Sequence, residues 1–197
     1  MTETTVGTAT FTFTDHDNGK FDYTVNVPGS KVIAVQSKNI TRQLFAAPVP
    51  TCIWSEGSDL TLATNYQDLW WRAPASLESG WGINFTHQGD LIFATWFTYD
   101  LAGKPWWLAI LATKTGPNTY TGDLFTTVGP AFNAVPFNPA LVVETTVGTG
   151  TFTVVDGNNV QFDYTVNGVA QTKPLTRQVF AGLGTPCRVE VPVTVQN

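Results

Sequence analysis

The side chains of this chain best suited to chemistry are its tryptophans, and the chemistry they suit is binding. All seven fall between Trp54 and Trp107. An indole offers a flat, electron-rich face to sugar rings and apolar ligands. Side chains alternate across a strand, so adjacent pairs such as Trp106 and Trp107 face opposite ways, and some indoles are predicted to lie outside the core. The predicted ligand-binding residues are Trp71, Trp81, Trp96, Trp106 and Trp107. Packing between repeats is the alternative role for the same residues.

A second candidate feature is Arg177, which stands in Thr-Arg-Gln on the last predicted strand. In a closed barrel the last strand pairs with the first, so this guanidinium can stack on Trp70 or Trp71. Such a contact contributes about 0.5–2 kcal/mol. We predict that Trp70 and Arg177 close one end of the barrel, with ligand binding by Arg177 as the alternative.

The two cysteines, Cys52 and Cys187, flank the same region of the chain. Two thiols suit a disulfide better than a metal site, which needs about four ligands. A Cys52–Cys187 bridge would hold the ends of the first and last barrel strands together. The alternative is that each cysteine pairs with a neighbouring repeat or with another molecule.

Residue patterns for catalysis or metal binding are weak. The segment Asp15–Gly19 begins like a calcium loop but lacks the Glu at the twelfth position, and a hairpin turn explains it. His87 is the histidine open to a triad, with Asp90 or Asp100, and Glu78 could pair with either aspartate in a glycosidase. Neither spacing favours those roles. We predict no catalytic residue, no metal, no cofactor and no enzymatic activity.

The elements that must position these residues follow from an internal duplication. ETTVGTATFTFTD at the start of the chain is matched by ETTVGTGTFTVVD further on. The matching segments are 3–15 with 144–156, 21–26 with 162–167, 41–43 with 176–178, and Cys52 with Cys187. The offset falls from 141 to 135, so the first copy has six extra residues between Val27 and Lys38. A fixed long period predicts a tandem array of one folding unit.

Short β-branched and aromatic runs, separated by Gly, Asn, Asp and Pro turns, predict an antiparallel meander. The predicted strands are 69–73, 80–87, 91–99, 105–113, 119–127, 142–155, 160–167 and 171–180, with a Pro/Asn-rich loop at 129–139. Closure removes both unpaired edges of such a sheet. We therefore predict an all-β fold: an antiparallel up-and-down eight-stranded meander barrel plus a three-stranded partial repeat.

The predicted division of the chain has four parts. They are a partial repeat equivalent to 142–180 (1–46), a linker (47–64), the complete barrel (65–187) and a C-terminal strand (188–197). In the last part, valine alternates with other residues, as in a strand with one apolar face. Pro192 in its middle suits an edge strand, because proline has no N–H to donate to a neighbour. We predict that it adds to an exposed sheet edge through Val189, Val191, Val193 and Val195.

Composition limits the partners. The net charge of −5 and the pI near 4.8 argue against nucleic acid and anionic membranes, which need a basic face. No apolar run reaches the roughly 18 residues that span a bilayer, so no membrane insertion is expected. No N-terminal apolar signal segment is present, and we expect that Met1 either was added for expression or replaces a removed leader. Low charge is compatible with an extracellular protein.

The strand count, with Trp70 or Trp71 beside Arg177, resembles the lipocalin and avidin-like barrels, although the glycine of the lipocalin motif is missing. A closer resemblance is to an uncharacterised tryptophan-rich tandem repeat of secreted bacterial proteins. The matching segments are Tyr66–Trp71, ESGWGINFTHQGD (78–90) and IFATWFTYD (92–100). This resemblance implies an extracellular or cell-surface location in bacteria and brings no assigned activity.

Two functions are expected from these features. The favoured one is a secreted or surface-exposed, non-enzymatic module that binds a glycan or a small apolar ligand through aromatic residues. The alternative is a structural subunit of an extracellular filament or layer that self-associates by β-strand exchange.

Overall fold

The chain forms two compact units that are almost entirely β. The computed structural model describes residues 4–26, 29, 33–53, 59–179 and 184–189. The first unit, here the sheet unit, comprises Met1–Leu44 and Val128–Val143, and the second, the barrel unit, comprises Phe45–Thr127 and Glu144–Asn197. Among the described residues, no helix has the length and apolar character that a bilayer crossing needs.

Thirteen strands and one short 3-10 helix make up the regular structure of the described residues. The strands are β1 (Gly7–Phe13), β2 (Asn18–Asn26), β3 (Ile33–Thr41), β4 (Thr51–Cys52), β5 (Asp68–Arg72), β6 (Gly82–Gln88), β7 (Leu91–Tyr99), β8 (Pro105–Gly116), β9 (Thr119–Val128), β10 (Val143–Asp156), β11 (Asn159–Val166), β12 (Val169–Arg177) and β13 (Cys187–Arg188). The 3-10 helix is Pro139–Leu141.

Strands β5 to β12 form a closed antiparallel barrel in which each strand pairs with the next along the chain. The last strand closes the barrel on the first: Thr176 lies opposite Trp71, and Arg177 lies opposite Trp70. Closure leaves neither end strand of the meander with an unpaired edge. The predicted all-β fold, with an eight-stranded barrel and a separate three-stranded sheet, is confirmed.

Several predicted strand ends were wrong by two or three residues: the fourth barrel strand extends to Gly116 rather than to Thr113, and the eighth begins at Val169 rather than at Gln171. The second barrel strand begins at Gly82 rather than at Gly80. Gly80 has φ of 101°, and the N–H of Trp81 donates to the carbonyl oxygen of Glu78, so this segment is a turn. Only glycine adopts that backbone region without strain. The last strand ends at Arg177 instead of at Phe180, which lies outside the described residues.

Side chains fill the barrel interior. The largest fully buried ones are Trp70, Phe152, Phe162, Ile83, Ile92, Leu108, Ile110, Leu124, Leu175 and Val160. They come from strands all round the barrel, since alternate residues of each strand point inward. An eight-stranded barrel has an interior of about the size such a set fills. Burying each large apolar side chain stabilises the fold by roughly 1.5–3 kcal/mol.

The sheet unit repeats the last three barrel strands in the same register. Phe11 pairs with Phe21 in the hairpin β1–β2, and Phe152 pairs with Phe162 in β10–β11. Both pairs of rings stack, at 4.6 Å and 4.7 Å between centroids. The duplicated sequence therefore gives the same hairpin twice.

The third strands also correspond. Tyr23 lies opposite Gln36 as Tyr164 lies opposite Gln171, and in each pair the tyrosine hydroxyl donates to the glutamine side chain. Asn26 pairs with Ile33, which places the six extra residues of the first copy at 27–32.

One face of the sheet unit corresponds to the barrel interior, and we call it the open face. Its residues include Phe11, Phe13, Phe21, Tyr23, Lys38 and Ile40. Phe11 is 58% exposed and Phe13 is 72% exposed, whereas Phe152, the counterpart of Phe11, is fully buried. The same strands thus bury their aromatic rings in the barrel and leave some of them in water here.

The segment between β9 and β10 belongs to the sheet unit, although it was predicted as a loop of the barrel. The Tyr23 hydroxyl oxygen lies 3.1 Å from the carbonyl oxygen of Phe132, and the centroids of the two rings lie 6.4 Å apart. The ammonium of Lys38 lies 6.0 Å from the ring centroid of Phe137. This segment covers part of the open face.

The two copies allow a matched test of burial. Phe152→Ala should lower the free energy of unfolding of the barrel by about 3–5 kcal/mol, because it empties a closed core. Phe11→Ala should change that free energy by less than about 0.5 kcal/mol, because Phe11 is exposed and belongs to the other unit. Denaturant titration followed by tryptophan fluorescence measures it, since no tryptophan belongs to the sheet unit. Equal losses in the two variants would contradict this account.

Candidate functional site

The barrel places its tryptophans at different depths. Trp70 and Trp96 are buried, and Trp81 and Trp106 are partly buried against the core. Trp71 is half-buried, and its indole nitrogen is enclosed without a hydrogen-bond partner in the described part of the chain. Trp107 is 48% exposed. Of the five tryptophans predicted to bind a ligand, only Trp107 presents so much of its surface to solvent.

Trp96 was predicted to contact a ligand, but its indole lies inside the barrel. Its ring is 5.8 Å from Trp81, 5.4 Å from Phe162 and 4.6 Å from Tyr164, measured between centroids. Residues alternate along β7, and Trp96 shares the inward side with Ile92 and Ala94. This side chain is part of the packing and does not meet solvent.

Arg177 lies over the indole of Trp70, with 4.8 Å between the guanidinium carbon and the ring centroid. Its Nη1 donates to Asp68 Oδ2 at 2.9 Å, and three more of its N–H groups donate to carbonyl oxygens, those of Gly157, Gln67 and Asn65. Burial lowers the pKa of this guanidinium, and the hydrogen bond to Asp68 opposes that shift. The contacts join β5, β12 and the β10–β11 turn at one end of the barrel.

A second cation, Lys173, lies on the same face of β12, four residues before Arg177. Lys173 Nζ donates to Glu78 Oε2 at 2.6 Å and lies 5.5 Å from the ring centroid of Trp81. Glu78 also pairs with Arg72, with 3.2 Å between Oε1 and Nε. Each inward cation of β12 thus has one carboxylate and one indole from another part of the barrel.

Cys52 and Cys187 form a disulfide, as predicted. The two cysteines pair across the short strands β4 and β13, where Thr51 also lies opposite Arg188. Among the described residues no cysteine is free. The bond joins residues on either side of the eight barrel strands.

The outer surface of β7 and β8 carries an exposed aromatic cluster, which we call the outer patch: Phe97, Tyr99 and Trp107. Phe97 pairs directly with Trp107, and Tyr99 lies two residues beyond Phe97 on the same side of β7. All three are about half exposed. On the other side of Phe97 the paired residue is Gly82, which has no side chain to cover the rings.

Near the end of β6, His87 forms a buried polar cluster with Tyr66 and Tyr120. Its Nδ1 accepts the backbone N–H of Tyr66 at 3.1 Å, so the proton of the neutral ring is on Nε2, which donates to the carbonyl oxygen of Gly89 at 3.0 Å. Tyr120 Oη lies 3.4 Å from the same nitrogen. Burial lowers the pKa of His87 to about 4 and raises the pKa of Tyr120 to about 12.

The segment that begins like a calcium loop is a hairpin turn. Asp15 Oδ1 accepts the backbone N–H groups of Asp17 and Asn18, both at 2.8 Å, and these hydrogen bonds lower the pKa of Asp15. The counterpart Asp156 accepts the backbone N–H of Asn158 at 2.7 Å. In the described residues, no three or more His, Cys, Asp or Glu side chains are grouped to hold a metal.

The predicted assembly strand falls largely beyond what is described. Val191, Val193 and Val195 lie outside the described residues. Val189 is described, is 41% exposed and belongs to no strand.

No protein-family model, no curated protein and no solved structure matches this chain. The resemblance to a tryptophan-rich bacterial repeat therefore stays a prediction, and function has to be argued from the residues.

Phe97 and Tyr99 were missed as candidates, although the sequence carries the signal. Alternation along β7 places Trp96 inward, and it therefore places Phe97 and Tyr99 outward. What the sequence did not give was the pairing of Phe97 with Trp107, which depends on the register between β7 and β8.

The burial of His87 predicts a pH-dependent stability. The pKa of this side chain is about 4 in the folded state and about 6.5 in an unfolded chain, so the unfolded state binds more protons between these values. The free energy of unfolding should be fully maintained above pH 6.5. It should then fall by up to about 3 kcal/mol as the pH drops to 4.

Denaturant titrations across that pH range, on the wild type and His87→Gln, measure the effect. The difference between the two should depend on pH, whereas His16→Gln, at an exposed turn, should follow the wild type. Parallel pH profiles for the wild type and His87→Gln would contradict the assignment.

Proposed function

We propose that this chain is a non-enzymatic, extracellular binding module that attaches to a glycan or an apolar ligand through the outer patch. The observation that carries the proposal is the exposure of three aromatic rings side by side on the barrel wall. Exposed apolar surface costs free energy in water and commonly marks an interaction site. Sugar rings present apolar C–H faces that pack well on flat aromatic side chains.

Polar neighbours add the means to orient a sugar. Asn84 and Thr95 pair with each other in the row next to Gly82 and Phe97, and both are half-buried. On this face of the sheet an amide and a hydroxyl can exchange hydrogen bonds with sugar hydroxyl groups. The combination of flat rings and neutral polar groups suits an uncharged carbohydrate better than a charged ligand.

The extracellular location is part of the same proposal. A disulfide is stable in oxidising compartments and rare in the reducing cytosol, which supports secretion or surface display. The low proportion of charged residues, 13%, is compatible with it.

Trp107→Ala, alone and with Phe97→Ala, tests the outer patch. Binding to a polysaccharide or glycan array should fall at least about tenfold in the single variant, because a half-exposed indole provides much of the contact area. Val155→Ala, at an exposed position of β10, is the matched control and should bind as the wild type does. Retention of binding by the double variant, or no binding of any glycan or hydrophobic probe by the wild type, would sink the proposal.

A second candidate function is assembly, and the open face favours it. Phe11 and Phe13 are exposed there, although the counterpart of Phe11 in the barrel is buried. Rings on a three-stranded sheet gain stability when another sheet covers them. A subunit of an extracellular filament or layer would supply such a cover.

Light scattering over a range of protein concentrations tests assembly. The wild type should form particles larger than a monomer, and Phe11→Ser with Phe13→Ser should shift the distribution to monomer by removing exposed apolar surface. Val155→Ser is the control, since it removes an exposed valine from the barrel wall. A wild type that stays monomeric at every concentration would rule assembly out.

A further inference from the structure

The sheet unit contains a cavity of about 550 Å³ at the end of the open face. Its walls include Phe21, Tyr23 and Val25 from β2, Lys38 from β3, and Phe132 and Phe137 from the segment that follows β9. Small-molecule sites in proteins typically measure about 300–1,000 Å³ and are mostly apolar, with a few placed polar groups. This cavity has both properties.

The barrel shows what the same strands contact when their inner face is filled. In the barrel, Trp96 packs on Phe162 and Tyr164. The counterparts of those two residues in the sheet unit are Phe21 and Tyr23, which line the cavity. The cavity thus lies against the surface that in the barrel holds an indole ring.

Lys38 is a charged residue of the cavity wall, and its counterpart in the barrel, Lys173, has a carboxylate partner. Lys173 pairs with the carboxylate of Glu78 and lies beside the indole of Trp81. Lys38 lies beside the ring of Phe137 at 6.0 Å but has no ion pair among the described residues. It is half-buried, so part of its hydration is already lost. A half-buried ammonium gains from a carboxylate partner.

The neighbouring cation does not share this deficit. Arg42, the counterpart of Arg177, pairs with Asp17 in the β1–β2 turn, with 2.9 Å between Nε and Oδ1. Its guanidinium also donates to the carbonyl oxygen of His16, as Arg177 does to the equivalent Gly157. In the sheet unit, Asp17 is to Arg42 what Asp68 is to Arg177 in the barrel. No described carboxylate is to Lys38 what Glu78 is to Lys173.

We propose that this cavity binds a small aromatic carboxylate. The ring system packs against the side chains of Phe21, Phe132 and Phe137 that line the cavity, and the carboxylate pairs with Lys38. The Tyr23 hydroxyl already donates to Gln36, so this residue contributes its ring. The ligand reproduces, in one molecule, the indole and the carboxylate that the barrel supplies from Trp96 and Glu78. This site is separate from the outer patch and does not depend on it.

Isothermal titration of the full chain with 1-naphthaleneacetate and with its neutral amide, 1-naphthaleneacetamide, tests the proposal. The two probes have the same ring system and differ in charge. The acid should bind at least about tenfold more tightly, because an ion pair that is partly removed from water is stronger than a neutral contact. Equal affinities, or no binding of the acid at millimolar concentration, would overturn the proposal.

Variants then locate the site. Lys38→Gln should abolish the preference for the acid while leaving the affinity for the amide, whereas Lys20→Gln should change neither. Lys20 is the matched control because it lies in the same sheet on the opposite face and pairs with Asp22. Trp107→Ala should leave both affinities unchanged, which separates this site from the outer patch. If Lys38→Gln still preferred the acid to the amide, the assignment would also be overturned. The comparison of the two probes on the wild type does not depend on the folding of any variant.

Discussion

The pairing of the last barrel strand with the first is the constraint on which the structure depends. Three residue pairs join β12 to β5, and without them the eight strands would be an open sheet with two bare edges. Arg177 supports this seam from inside, since it holds the carboxylate of Asp68 and lies over Trp70. A buried cation is costly unless its N–H groups find acceptors, and here four of the five donate, to three carbonyl oxygens and one carboxylate. These contacts stabilise the pairing of β12 with β5 and fix its register.

The duplicated strands show how far neighbours decide what a sequence does. The same hairpin, in the same register, buries Phe152 in the barrel and exposes Phe11 in the sheet unit. Local pattern fixes the strands, the turn and the pairing, because alternation and the Asp–Asn turn are properties of the segment itself. Burial belongs to the assembly of strands around it. The open face of the sheet unit corresponds to the covered barrel interior but is itself partly exposed. Both the assembly candidate and the ligand cavity are located on this face.

Much of this fold could be predicted from the sequence. Turn residues divided the barrel into strands, the count suggested closure, and the positions of Cys52 and Cys187 suggested the disulfide. The depth of each tryptophan could not be predicted, because adjacent pairs such as Trp106 and Trp107 fix only that the two face opposite ways. The segment that follows β9 was also missed as a cover for the open face. Its contacts with Tyr23 and Lys38 are more than 90 residues away in sequence, and no local pattern encodes them.

The disulfide has a mechanical consequence. Cys52 stands in the first copy where Cys187 stands in the second, so the motif carries one cysteine per copy, and the bond between the two uses both. This bond encloses all eight barrel strands, so tension applied to the chain outside the two cysteines passes through the S–S bond rather than through the barrel. Reduction would place that load on the barrel strands themselves.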